Sequence, residues 1–357
     1  MMVRSVLLAR GGTTGTASGL GRAHHDLIKA LDSEMIEGYA VGGVIEHPTK
    51  GNPATRLNRR WRTHPARVKA SLDYMDLLHI SDQEQAHLVP ENCPIPVTVT
   101  VHDLFHLFPR IVDEIEVGEQ NPGKVRRKDL EKLRAGLARA DLLICDSQAT
   151  LKEVQEHFPS VRSTCVPLGL SLDERHPTLN PLKKPTWMEE EGKHLMMVGS
   201  EEARKRLAFA ILAVSDLEKV ILHKIGSESN SKDEEAIKAL AQWEGVDLRW
   251  QGRIPELELM AAWQHADALL FPSIAEGFGY PPLEAMAGGT RPLVADVGSA
   301  NELAPAQYLL PTDDFDAWKQ VITDLPKGRC ERSLEEAKKF SDEVFGRNMA
   351  TAWDSMF

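Results

Sequence analysis

The sequence predicts an α/β protein built from two Rossmann-like domains, and three observations carry that expectation. The chain has 357 residues, beyond the roughly 250–300 at which a single hydrophobic core stops growing. Short apolar runs alternate with helical stretches twice over, as in mostly parallel sheets. Between Gly169 and Lys193 the alternation fails in a segment holding Pro177, Pro181 and Pro185, which reads as an interdomain linker.

The first domain opens with an apolar strand over Val3 to Ala9, a glycine-rich turn and a periodic helix over Arg22 to Leu31. Further strands are expected at Leu77 to Ile80, Val97 to Val101 and Leu142 to Cys145, the last after a helix over Lys124 to Ala140. The pattern restarts with a strand over His194 to Val198, a polar loop and a helix over Ala208 to Leu217. Strands over Val220 to Ile225, Asp247 to Gln251, Ala268 to Phe271 and Pro292 to Ala295 then alternate with helices over Lys232 to Trp243, Pro255 to His265 and Pro282 to Ala287. Residues 333–357 read as a helical tail expected to cross back towards the N-terminal domain. The expected domains are therefore 1–175 and 190–332, with the tail at 333–357. Two such lobes are expected to face a central cleft at the carboxyl ends of their strands.

Composition narrows the class. Hydrophobic residues make up 42% and charged residues 27%, as in ordinary folded domains. No run approaches the ~20 apolar residues of a membrane span, and Met1 to Ala9 is too short for a signal sequence. Cys93, Cys145, Cys165 and Cys330 lack metal-ligand spacing, so reduced thiols in the cytoplasm are expected. The net charge of −11 argues against a nucleic-acid partner. Residues 1–180 are near neutral, with 22 Lys+Arg against 23 Asp+Glu, and the remainder carries nearly all of the deficit.

The most informative segment is FPSIAEGFGYPPLE, from Phe271 to Glu284. It ends an apolar strand and passes through a glycine loop into a helix whose first turn suits Pro281 and Pro282. The amides of Gly277, Phe278 and Gly279 can face an anionic or hydroxyl-rich ligand. Glu276 sits in the loop and Glu284 is expected in the first helical turn, where a carboxylate can accept bonds from vicinal hydroxyls or merely complement the helix dipole. GSEEARKRL, from Gly199 to Leu207, places Arg204 and Lys205 in a loop after a buried strand. Cations there can meet a diphosphate or form a solvated basic loop.

EGFGYPPLEAMAGGTRPLVADVGSANEL resembles the donor-site signature of the retaining glycosyltransferases of family four, which have the GT-B fold. The similarity continues in SGLGRAHHDLIKAL, RADLLICDSQAT with VPLGL, and WQGRIPELELMAAWQHADALLFPS, and so covers most of the chain. The resemblance implies that Glu284 holds the ribose of a nucleotide, with Leu283 beside it. It implies that Glu276 and the Gly277 to Gly279 amides meet the transferred sugar, and that Gly252, Arg253 and Ile254 meet the base. Arg204 and Lys205 match the pair that neutralises the leaving group. Two positions depart from the family: Ser200 stands where some members have a further arginine, and Arg206 where Asn or Gly is common. Gly19, Leu20 and Gly21 would bring helix N-terminal amides towards the phosphates. His102, in the strand end Val101-His102-Asp103-Leu104, would lie near the sugar and contribute its side chain or backbone carbonyl, while Asp103 can simply cap the next turn.

What the resemblance implies is transfer of a hexose from a nucleoside-diphosphate sugar to a hydroxyl acceptor, with retention, no cofactor and no catalytic metal. Front-face departure and a covalent step on Glu276 both remain open. TVHDLFHLFP resembles mannosyltransferases of bacterial polysaccharide assembly, although UDP-hexose donors stay open. The acceptor, a glycan, a lipid-linked sugar or a small molecule, is not named by the sequence. The basic stretches Arg56 to Lys69 and Lys124 to Arg139 either rest on the inner face of an anionic membrane or form solvated helix faces. A non-catalytic sugar-nucleotide-binding scaffold is the alternative to an enzyme.

Overall fold

The structure is a computed structural model that describes residues 3–13, 15, 18–226 and 231–357. Residues 14, 16 and 17 of the glycine-rich turn lie outside the described residues, as do Met1 and Met2. The strands are β1 (Arg4–Gly12), β2 (Tyr39–His47), β3 (Leu77–Ile80), β4 (Val97–Val101), β5 (Arg110–Val112), β6 (Ile115–Val117), β7 (Leu142–Cys145), β8 (Arg162–Cys165), β9 (Lys193–Val198), β10 (Val220–Ile225), β11 (Asp247–Gly252), β12 (Ala268–Phe271), β13 (Arg291–Ala295) and β14 (Leu309–Leu310). The helices are α1 (Gly19–Asp32), α2 (Pro53–Asn58), α3 (His64–Ala70), α4 (Lys124–Leu137), α5 (Gln148–His157), α6 (Leu207–Val214), α7 (Ser231–Trp243), α8 (Glu256–His265), α9 (Tyr280–Ala287), α10 (Phe315–Thr323), α11 (Glu331–Ala337) and α12 (Asp342–Asp354).

The chain forms two compact units, one of Met1–Ile111, Val117–Gly169 and Asp342–Phe357, the other of Val112–Glu116 and Leu170–Ser341. The first holds a parallel sheet in the order β2-β1-β3-β4-β7-β8. In β4 the sequence VTVTV is buried on both faces. Val97, Val99 and Val101 join the core, while Thr98 and Thr100 bond the two ring nitrogens of buried His79 at 2.8 and 3.1 Å. Helix α12 packs on that same unit: Trp353 meets Tyr39 and His79 edge-on at 5.0 and 5.4 Å, and the Tyr39 hydroxyl donates to Asp354.

The second unit repeats the plan with the parallel order β11-β10-β9-β12-β13-β14. Leu170 bridges Ser341, so the chain joins and leaves this unit at adjoining points. The proline-rich residues 170–192 are strapped to α8 rather than forming a free linker. Gln264 donates to the Arg175 and Asn180 carbonyls, His265 bonds the Leu182 carbonyl, and Arg175 pairs with Glu256 at 2.6 Å. Prolines supply no backbone donors, so side chains of the helix make the attachment.

The sequence reading also omits the edge strands β2, β8 and β14, the β5–β6 pair and helices α2, α3, α5 and α10. Strand β2 escaped notice because its burial alternates around Gly42 and Gly43, and β8, RSTC, because it is polar. Among the described residues no helix is long and apolar enough to cross a membrane.

Gly136 shows packing overriding helix propensity. Alanine inside a helix is ordinarily favoured over glycine by about 1 kcal/mol, but a β-carbon at Gly136 of α4 would lie 1.9 Å from the Ala86 carbonyl oxygen. We expect Gly136→Ala to destabilise the protein by roughly 1–3 kcal/mol, measured by urea unfolding; a stabilised variant would contradict this packing.

Candidate active site

In the second unit the predicted donor residues converge at the carboxyl ends of β9 and β12. After β9 the chain turns at Gly199, whose φ is +136°, and reaches Arg204 in a short 3₁₀ turn before α6. After β12 it runs through Ser273 to Glu276 and the glycine loop. Gly279, at φ +105°, starts α9; positive φ is costly for residues with a β-carbon. The helix therefore begins at Tyr280, and Glu284 is its fifth residue, in the second turn and not the first as the sequence reading expected. Glu284 is 3% exposed.

Arg204 joins the two loops. Its guanidinium lies 2.8 Å from Glu276 Oε1 and 2.8 Å from Glu202 Oε2, and Nη1 also donates to the Ala275 carbonyl. Burial works against its charge, but the Glu276 and Glu202 carboxylates outweigh burial and raise its pKa above the ordinary arginine value. Glu276 Oε1 also accepts from Ser273 Oγ at 2.7 Å, and the Glu276 carbonyl accepts from Ser299 Oγ at 2.6 Å. Both serines are buried. The sequence reading assigned no role to Ser273 or Ser299, although both stand in its quoted motifs; serine is too common in turns to signal one.

The three consecutive cations have separate roles. Arg204 is consumed by carboxylates. Arg206 takes a left-handed conformation at φ +52°, donates to the Thr312 carbonyl and lies 4.4 Å over the Phe209 ring. That backbone conformation explains why Asn or Gly suits the position. Lys205 has no carboxylate partner among the described residues; a β-carbon on Gly199 would meet its Nζ at 2.5 Å, so the amine lies over that glycine. The predicted base-contacting residues lie at the end of β11. Gly252 has φ +65° and accepts from the Gly226 amide, Arg253 is exposed, and Ile254 packs on the core. Leu283 is fully buried, and Phe278 packs edge-on against Tyr280 and Phe340.

In the first unit His102 ends β4. Its Nδ1 donates to the Asp146 carboxylate, and its Nε2 lies 3.2 Å from the Ser81 carbonyl. Burial alone would lower its pKa, but Asp146 raises it to about 9. The ring is thus a cation with both nitrogens engaged, unsuited to act as a base. Its carbonyl accepts from Thr150 Oγ1. Asp103 Oδ1 accepts the Phe105 amide and caps the turn. At the start of α1, Ser18 Oγ takes the Gly21 amide, and a β-carbon at Gly21 would lie 2.2 Å from the Gly15 carbonyl. Gly19 and Leu20 form the first turn beside it.

Residues 182–343 match the model for glycosyl transferases group 1, and residues 16–174 match that for glycosyltransferase family 4. The two matches span most of the chain, which belongs to the family-four glycosyltransferases. The O-antigen chain mannosyltransferase RfbU of Salmonella typhimurium is 41% identical over 88 residues, covering 22% of this chain and 25% of that protein. The serotype-specific mannosyltransferase WbdA of Escherichia coli is 26% identical over 241 residues, covering 62% and 28%. The chain thus spans about a quarter of the length of these relatives. The structure of Anabaena HepE in complex with UDP and glucose superposes with a TM-score of 0.75 at 14% identity, covering 99% of this chain and 100% of that one. That likeness shows the fold, two Rossmann-like lobes of the GT-B type.

The His102 pair has a pH signature. A folded pKa near 9 against the unperturbed 6.5 means that its stabilisation is complete below pH 6.5 and is lost as pH rises through 9. Wild type should lose roughly 1–3 kcal/mol over that interval that a His102→Gln variant does not lose. Urea midpoints at stepped pH would test this; parallel curves would remove the charged pair as a source of stability.

Proposed function

We propose that this chain transfers a hexose from a nucleoside-diphosphate sugar to a hydroxyl acceptor with retention at the anomeric carbon. The observation that carries the reading is the cluster in which Arg204 fixes Glu276 between two serines while Lys205 has no carboxylate partner among the described residues. Glu276 and the Gly277 to Gly279 loop would hold the sugar, Glu284 the ribose, and the strand end at Gly252 to Ile254 the base. Lys205 would neutralise the departing diphosphate, a preorganised electrostatic contribution that needs no metal. As the bond from the anomeric carbon to the phosphate oxygen breaks, the acceptor oxygen attacks the same face, and its proton passes to that phosphate oxygen. The engagement of Glu276 by Arg204 and Ser273 favours this route over a covalent step on the carboxylate. Mannose is the sugar to test first, because RfbU and WbdA are named mannosyltransferases; the UDP and glucose of the HepE complex keep UDP-glucose second.

Lys205→Ala should lower kcat roughly 100-fold, whereas Glu284→Gln should raise donor KM about tenfold by weakening a charge-assisted hydrogen bond. Steady-state release of nucleoside diphosphate across a donor titration reads both values. Near-normal constants for both variants would sink the assignment.

A lipid-linked acceptor at the inner face of a membrane is also proposed, because the two basic stretches meet on one surface. Lys128 and Lys132 lie 5.6 and 5.7 Å over the ring of Trp61, whose indole donates to Asp129. Leu57, Trp61 and half-exposed Val125 line a neighbouring apolar groove. Phosphatidylglycerol vesicles should sediment the protein at low salt and release it as salt rises, and Lys128→Glu/Lys132→Glu should abolish the effect. Absence of sedimentation at low salt would end the membrane reading.

A further inference from the structure

Strand β10, VILHKI, is buried along its whole length and still contains a lysine. Lys224 is 2% exposed. Its Nζ donates to the Gly199 carbonyl and to Glu201 Oε1, each at 2.7 Å, and lies 4.7 Å from the centre of the Trp250 ring. The Glu201 side chain is 1% exposed. Register explains the reach. Lys224 stands beside Met197 of β9 and Trp250 of β11, so its four-carbon stem carries the ammonium forward to the turn that ends β9. A buried ion pair is often no more stabilising than apolar residues of the same volume. Stability alone therefore does not account for a lysine at this position, and the pair takes no part in the chemistry proposed above.

The loop that Lys224 holds supplies another reason. Lys205 Nζ approaches the same glycine, 2.5 Å from where a β-carbon on Gly199 would lie, and Lys205 and Lys224 line one small cavity with Gly199 and Ser273. Burial depresses the Lys224 pKa; the Glu201 carboxylate offsets part of that, and the Lys205 charge adds to it. Two ammonium groups and a buried carboxylate thus share this turn. A carboxylate taken out of water needs a compensating charge, and Lys224 provides it from the strand. Without Lys224, the Glu201 carboxylate would draw on Lys205, a second cation at the turn. Resting on the glycosyl-transfer reading above, we propose that Lys224 is a positioning residue: by holding Glu201 and the Gly199 carbonyl, it keeps Lys205 available to the departing diphosphate.

The test compares the affinities of GDP with guanosine and of UDP with uridine by isothermal titration calorimetry, since each ratio isolates what the diphosphate adds. Lys205→Ala should lower the ratio about tenfold for the nucleotide that binds, as loss of a charge-assisted hydrogen bond does. Lys224→Met, which keeps the packing of the stem, should lower it by the same factor with nucleoside affinity unchanged. It should add nothing in the Lys205→Ala background. Glu201→Gln should restore the ratio in the Lys224→Met protein, because the carboxylate that captures Lys205 is gone. General damage to the fold would weaken nucleoside and nucleotide alike, and a second substitution would not repair it. Should Lys224→Met fail to fold, Lys224→Gln keeps a donor for the Gly199 carbonyl without the charge and should show the same loss and the same rescue. An unchanged ratio in the Lys224 variants, or a loss that Glu201→Gln leaves in place, overturns the proposal, while a lowered ratio in Lys205→Ala keeps the transferase reading standing. A wild type that binds neither GDP nor UDP overturns both.

Discussion

A parallel sheet covered on both faces can offer polar groups to a ligand only where its strands stop. Both units obey that constraint, and in the second the ends of three strands depend on glycine. In the second unit Gly199, Gly226 and Gly252 end three neighbouring strands with positive φ, and the Gly199 and Gly226 amides bond to the Ile225 and Gly252 carbonyls. A β-carbon on Gly226 would lie 2.3 Å from the Gly199 carbonyl oxygen. The turns are therefore fixed by close backbone approach, and the side chains that follow them, Arg204 and Lys205, inherit their positions from it.

Arg204 then converts two loops into one surface. It orients Glu276 at a strand end where a lone carboxylate would be costly to bury. The first unit reaches a similar result by another pairing, with His102 held charged by Asp146 at the end of β4. In each case a buried ion pair fixes geometry, and removal of one partner would leave the other charge uncompensated.

Much of this was legible in the sequence, for identifiable reasons. Strands β3, β4, β7, β10 and β12 are short runs rich in Val, Leu and Ile, and their limits matched the reading residue for residue. Residues converging through local sequence, such as Glu276 with its glycine loop, were legible too. Contacts between distant segments were not. Nothing in RADLLICDSQAT reveals that Asp146 will charge His102 from 44 positions away, or that Asp82 will face Arg10. The turn count of Glu284 was missed because Gly279 can start the helix earlier than the prolines suggest. The strap over residues 170–192 was missed because its bonds come from α8, far along the chain.

Charge is where sequence and structure diverge most usefully. ARKR contains three adjacent cations, yet Arg204 serves Glu276 and Glu202 and Arg206 is anchored on Thr312 and Phe209, which among the described residues leaves Lys205 for a ligand. The basic stretches of the first unit behave alike. Arg60 and Arg126 neutralise Asp129, Arg59 bonds the Pro48 carbonyl, and Arg139 the Val89 carbonyl. An arginine that forks onto carbonyls and carboxylates has already used the donors that a phosphate would require. The electrostatic footprint of this chain is therefore smaller than its count of basic residues suggests, and Lys205 beside the glycine turn and Lys128 and Lys132 around Trp61 belong to it.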